Sequence, residues 1–492
     1  MFNKKNLLLF ILINFALPST NYNLELINVI SFDNDSNNFG TSDVWGYTDE
    51  TGIEYAIVGY RYGTMIYDVS SSEELIEIAN IIGPSNGDYY YHRDYKTYQN
   101  HLYIVNEMYG GDMGMQVVDL SPLPNNAPIQ LETYSNISQS HNLWIDSSGY
   151  AFIEHQTGDN IQIVNLDNPS SPAYHGSFFS EGLNCHDIYT RNNIGYISEG
   201  FSNRFGIYDL SDLGNISSPI ATIPCDGYAH NAWLNDSGTH LITTEETNNK
   251  TIKIWDITDL NNIFLSGEYL GENNLAHNVH ILNDLLYISH YTTGLKIVDI
   301  YDPQRPIEIA AYDTYPENDN EGFYGCWGAY PFTNNNFVYA SDMQTGLHIF
   351  NFENIRAGFA NGYIYFNNSV PLSNATLKST LNNKEFYTDQ NGYFDFGFAQ
   401  GEHDFLINNE YIVTIAFTAY ESTFYNFYIG ETLTLGDINI DGVVNILDVI
   451  LVVNFILETS YPTNEEIWSS DLNEDSSINI QDIILIINII LN

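Results

Sequence analysis

The chain is short of positive charge: 14 Lys and Arg stand against 62 Asp and Glu, a formal net charge of −48 over 492 residues. Neutralising phosphates takes clusters of basic side chains, so the composition argues against a nucleic-acid partner, and against an anionic membrane surface for the same reason. Such a field favours cations, calcium above all, and keeps a protein in solution. Cysteine is scarce as well. Cys185, Cys225 and Cys326 are too few for a disulfide scaffold, and no CxxC pair offers a thiolate zinc site. A Cys185–Cys225 bridge and buried free thiols both stand as readings. Long apolar runs are absent after the N-terminus. The run Leu7 to Leu17, behind Lys4 and Lys5 and before Ser19 and Thr20, predicts a signal peptide over residues 1–20. It is too short to serve comfortably as an uncleaved membrane anchor. A Ser-His-Asp spacing, a nucleophile elbow and a phosphate-binding Gly loop are also missing.

What is present is repetition. A five-residue core recurs seven times: Thr64 to Asp68, Met115 to Asp119, Ile161 to Asn165, Phe205 to Asp209, Ile252 to Asp256, Leu295 to Asp299 and Leu347 to Asn351. Alternating apolar residues mark each core as a strand, and the closing Asp or Asn starts a turn. The period is 43 to 52 residues, and each unit parses into four strands. In the third unit these run from His141, from Tyr150, from Ile161 and from Ala173. A fixed period of this length predicts a mainly β fold, a seven-bladed β-propeller over residues 21–356. The seventh unit lacks an obvious fourth strand, and the chain begins with a spare one, Leu24 to Ser31. Closure of the last blade by that N-terminal strand accounts for both facts and removes a sheet edge.

The cores, Leu295-Lys-Ile-Val-Asp299 and Met115-Gln-Val-Val-Asp119 most closely, resemble the LVIVD-repeat proteins, in particular the choice-of-anchor B family. The resemblance implies a secreted propeller carrying a C-terminal anchoring module, and implies no reaction. Residues 359–435 read differently. Gly362-Tyr-Ile-Tyr, the Asp389 to Gly392 turn and the aromatic strand after it resemble the carboxypeptidase regulatory-like β-sandwich, which implies a spacer.

Residues 436–492 carry a duplicated EF-hand-type loop. Asp437, Asn439, Asp441, Asn445 and Asp448, with the Val443 carbonyl, take the spacing of calcium ligands, and Asp471, Asn473, Asp475, Ser477, Asn479 and Asp482 repeat it 34 residues on. Each loop opens an apolar helix, and two calcium ions are expected. Asp rather than Glu at position 12, together with the duplication, resembles a type I dockerin, which implies a cohesin-like partner on a scaffold or cell surface. The sequence departs from that family at loop positions 10 and 11, where Ile446-Leu447 and Ile480-Gln481 stand in place of a Ser-Thr pair.

Chemistry in the repeats centres on histidine. His92, His141, His186, His230 and His277 start the first strand of successive units, with Trp45 and Trp327 in that place at the ends. Thirteen to fifteen residues later stand Glu107, Glu154, Glu199, Glu245, His290 and Asp342. An antiparallel hairpin brings the start of one strand beside the end of the next, so both sets are expected at one channel mouth. Imidazole and carboxylate there suit a divalent transition metal (zinc, manganese or iron) or general acid–base work. The alternative is that each repeat needs its histidine for folding. These features lead to a secreted, non-enzymatic platform that binds a polysaccharide or a protein. The rivals are a metal-dependent polysaccharide hydrolase or lyase, and a structural layer protein.

Overall fold

The computed structural model describes residues 21–491 apart from 36–37, 72–74, 85–91, 109–112, 155–159, 183–184, 272–274, 319–321, 368–369 and 431–433. The expected signal peptide lies outside the described residues. The chain divides into two compact units, residues up to 357 with 397–400, and residues 358–396 with 401–492.

The first unit is built from seven four-stranded antiparallel sheets, none closed on itself. The third is typical: Leu143–Ile145, Tyr150–Glu154, Asn160–Asn165 and Ala173–Phe179, paired in sequence order. The sixth runs Asn278–Leu282, Leu285–Ser289, Leu295–Asp299 and Ile307–Tyr312. Each repeated core is the third strand of its sheet. In six sheets its terminal Asp or Asn accepts the N–H two residues on, as Asp68 does from Ser70 at 2.8 Å and Asp256 from Thr258 at 2.9 Å. That turn aims the chain into the fourth strand.

The seventh sheet is the exception. Cys326–Tyr330, Phe337–Asp342 and Gly346–Asn351 come from the last repeat, and the outer strand is Glu25–Ile30. Glu25 pairs with Asn351 and Ile30 with Leu347. Here the terminal Asn351 donates its side-chain amide to Glu25 at 3.3 Å. The first strands of neighbouring sheets touch from the first sheet through to the seventh, and the first strand of the seventh touches Thr41–Thr48 of the first. Apolar residues from facing sheets, such as Ile254, Val279 and Ile288, are fully buried between them.

The second unit holds two further four-stranded sheets and three helices. In one sheet Ser422–Ile429 runs parallel to Ala357–Phe366. The other orders Glu385–Tyr387, Thr376–Ser379, Gly401–Ile407 and Tyr411–Phe417. Phe396 of the first stacks on Phe386 of the second at 3.9 Å and meets Phe405 at 5.4 Å. Asp389 accepts the N–H groups of Asn391 and Tyr393, both at 2.8 Å, and Gly392 closes that turn at φ +74°. The helices are α1 (Ile446–Ile456), α2 (Asn464–Ser470) and α3 (Ile480–Leu491). Their core is small, with Ile438, Val449, Val452 and Ile486 as its buried apolar members.

Candidate functional site

A histidine stands within two residues of the start of the inner strand in five consecutive sheets, and the structure brings those rings together. Centroid separations are 4.3 Å from His92 to His141, 4.5 Å to His186, 4.0 Å to His230 and 4.6 Å to His277. Trp327 completes the circle, 4.2 Å from His277 and 5.4 Å from His92. Trp45 does not join it. The strand Thr41–Thr48 starts four residues before that tryptophan. Trp45 therefore sits in a second aromatic layer, 5.0 Å from Tyr330 and with the Lys96 ammonium 4.4 Å over its ring.

Hydrogen bonds show what holds the circle. His92 Nε2 donates to the His141 carbonyl at 2.7 Å, His186 Nδ1 to the His230 carbonyl at 2.9 Å, and His277 Nδ1 to the Trp327 carbonyl at 2.5 Å. Each bond ties one sheet to the backbone of the next. Below the circle Asp94 accepts the Leu143 N–H at 2.8 Å, and Asn231 accepts the Val279 N–H at 3.1 Å while donating to Asp187 at 2.6 Å. These groups enclose a cavity of ≈ 30 Å³ lined by all five histidines, room for about one water.

Burial sets the charge states. It lowers His92 to about 4 and pushes His186, His230 and His277 well below the ordinary imidazole range, so these rings are neutral. His141 differs. Burial opposes its charge too, but the Glu107 carboxylate 3.2 Å from Nδ1, helped by Glu154 and Glu246, lifts it to about 9. Burial raises Glu154 and Glu246 to about 7.

The expected second set divides. Glu107 pairs with His141, and Glu154 accepts the His141 backbone N–H at 3.0 Å. The other four turn towards partners of their own instead of joining the circle. Glu199 binds Arg204 and Tyr208, and Glu245 binds Lys253 and accepts the Gly227 N–H at 2.6 Å. His290 Nδ1 meets the Thr293 hydroxyl at 2.8 Å, and Asp342 accepts from Thr314 at 2.5 Å and from the Gln344 N–H at 2.9 Å. Within a sheet, Glu199 and Glu245 neutralise a cation on the adjacent third strand, which is a folding reason for an acid there.

A residue missed from sequence takes part instead. Glu246, one beyond Glu245, brings a carboxylate oxygen 3.7 Å from His230 Nε2. His230, Glu246 and His277 each supply one ligand atom within 4.8 Å of the others. Glu246 lies one residue past the end of the strand His240–Glu245, where the alternation of the strand no longer marks a face, so the repeat pattern carried no signal for it.

The C-terminal loops are equivalent atom by atom. Asp437 accepts the Asp441 and Gly442 N–H groups at 3.1 and 2.8 Å, and Asp471 those of Asp475 and Ser476 at 3.1 and 2.8 Å. Asp448 accepts from Ile438 at 2.7 Å and Asn445 at 2.8 Å, and Asp482 from Leu472 at 3.0 Å and Asn479 at 2.9 Å. Asn439 donates to Asp441 at 2.8 Å and Asn473 to Asp475 at 2.9 Å, while Asn445 and Asn479 reach the Val443 and Ser477 carbonyls. Positions 4 and 6 are left-handed in both loops, Ile440 and Gly442 in one, Glu474 and Ser476 in the other. Wrapped, all-oxygen loops of this kind fit calcium. Both position-12 carboxylates are fully buried. Cys185, Cys225 and Cys326 are free thiols.

Among the described residues no helix is long and apolar enough to cross a membrane. No curated protein matches the chain. A solved structure similar to it is a functionally unknown protein from Desulfotomaculum acetoxidans DSM 771, 14% identical over 53% of this chain and 82% of that one, with a TM-score of 0.41. Residues 275–314 match the LVIVD repeat, a β-propeller-like repeat, and residues 435–491 match the dockerin type I domain. Type I dockerins typically bind calcium, occur in extracellular or cell-surface proteins and imply a cohesin-type partner.

Proposed function

We propose that the chain is a secreted protein whose seven repeats form one closed propeller, a binding platform held in an extracellular complex by its calcium-loaded C-terminal module. Support for the propeller comes from the first strands, which touch in a complete circuit, and from the N-terminal strand that completes the last sheet. Residues 359–435 act as a carboxypeptidase regulatory-like spacer. The observation that carries the docking role is the duplicated loop with its dockerin match. At the start of α1, Ile446, Leu447 and Ile450 are exposed, and at the start of α3 Ile480 and Ile484 are. An apolar surface of this kind suits a partner that recognises greasy rather than hydroxyl side chains at loop positions 10 and 11 of the first loop and 10 of the second.

Titration calorimetry of the chain with calcium, then with a type I cohesin module in calcium and in chelator, tests this reading. Two calcium ions per chain and a calcium-dependent complex are expected. Absence of calcium binding overturns the docking role.

A second reading, a divalent metal at the propeller mouth, is favoured by one observation, the convergence of His230, Glu246 and His277.

A further inference from the structure

We infer that His230, Glu246 and His277 form a four-coordinate zinc site with one position left for a water or ligand oxygen. This deepens the metal reading of the mouth, rests on it, and is independent of the docking role. Surroundings select the ligand atom on two of the three residues. His277 donates from Nδ1 to the Trp327 carbonyl, which leaves the lone pair on Nε2 to bind a metal. Tyr291 donates its hydroxyl to one oxygen of Glu246, leaving Oε2 for the metal. That oxygen lies 3.7 Å from His230 Nε2. Ligands on a tetrahedral zinc with bonds of ~2.1 Å stand about 3.4 Å apart, so side-chain rotations that draw in three atoms now within 4.8 Å of one another close the site.

The donor set separates the candidate ions. Calcium and magnesium take oxygen shells, whereas two imidazoles and one carboxylate with an exchangeable fourth ligand are a zinc arrangement. Two histidines and a carboxylate also hold octahedral iron, but that geometry needs three further cis positions. Here the His186 ring stands 4.0 Å from His230, and Trp327 stands 4.2 Å and Tyr291 5.1 Å from His277. Crowding on that scale favours four ligands over six.

The experiment uses the whole chain with calcium present throughout, so that the C-terminal loops stay loaded. Zinc content is measured by mass spectrometry, affinity by competition with a chromophoric chelator, and geometry by the visible spectrum after cobalt substitution. One zinc per chain and the intense spectrum of four-coordinate cobalt are expected. Glu246→Gln should weaken zinc at least ten-fold, and Tyr291→Phe several-fold, with calcium content unchanged. If Glu246→Gln lowers the melting temperature, Tyr291→Phe decides, since it removes only the hydroxyl that orients the carboxylate. A chain that takes up manganese or iron but not zinc overturns the zinc assignment while leaving a metal at the mouth. A chain that binds no transition metal overturns both. Unaltered affinity in both variants overturns the ligand set.

Discussion

At the scale of single residues, the inner layer shows how polar groups are kept without water. Asp94 is almost fully buried, yet it accepts the Leu143 N–H of the neighbouring sheet and the Lys96 ammonium at 2.9 Å. Asp94→Ala strands both donors, and a loss of about 3 kcal/mol is expected in chemical denaturation, the scale of breaking a buried ion pair. His280 behaves differently. Burial, with Lys96 nearby, lowers it to about 3. The native ring refuses a proton that the unfolded chain accepts near pH 6.5, so its contribution to stability is lost as pH falls from there towards 3. His280→Gln removes that linkage, and its melting temperature should fall less steeply than the parent's between pH 6.5 and 4. An identical slope would mean that the ring is protonated in the native state.

At the scale of elements, the strands were largely legible and the mouth was not. The third strands announced themselves because one alternating core with a terminal turn residue recurs, and Tyr150–Glu154 and Ala173–Phe179 begin at the residues the pattern marks. First strands start one or two residues later than expected in the third and sixth sheets, at Leu143 and Asn278. There the carbonyls of His141 and His277 accept side-chain bonds from the preceding sheet, from His92 and Thr244. The acids failed for a related reason. In the fourth and fifth sheets a basic residue on the third strand, Arg204 or Lys253, draws Glu199 or Glu245 away, and Glu246, past the end of its strand, reaches the histidines instead. Sequence carries alternation well, but not which partner across the sheet will claim an acid at a strand end. The strand Glu25–Ile30 has a testable role. Deleting residues 21–33 bares the edge of Gly346–Asn351, and the first unit should melt at a clearly lower temperature in one cooperative step. A truncated chain that melts like the parent would show that closure adds nothing.

At the scale of the whole molecule, the two units differ in what stabilises them. The first has buried apolar residues between every pair of facing sheets; the helical module has four buried apolar side chains around loops dense in carboxylate. So small a core depends on bound ions to balance its acids. Calorimetry of the chain carrying both Asp437→Ala and Asp471→Ala should show the helical signal of α1 and α3 lost and the main transition in place. Chelator added to the parent should do the same. Retained helicity in chelator would mean that the loops fold without ions.

The seam in the seventh sheet has a consequence for how the chain is made. Glu25 and Asn351 are bonded partners separated by 326 positions. The ribosome therefore delivers one side of the seam early and the other only after every repeat has been translated. Closing so long a loop costs little more than closing a short one, because the entropy grows only with the logarithm of length. The order of arrival matters more. A chain that stops before residue 346 lacks the strand on which Glu25–Ile30 pairs, and its first strand keeps a naked row of N–H and C=O groups. The join thus serves as proofreading of length: only a reading frame followed through the last repeat gives the first strand its partner.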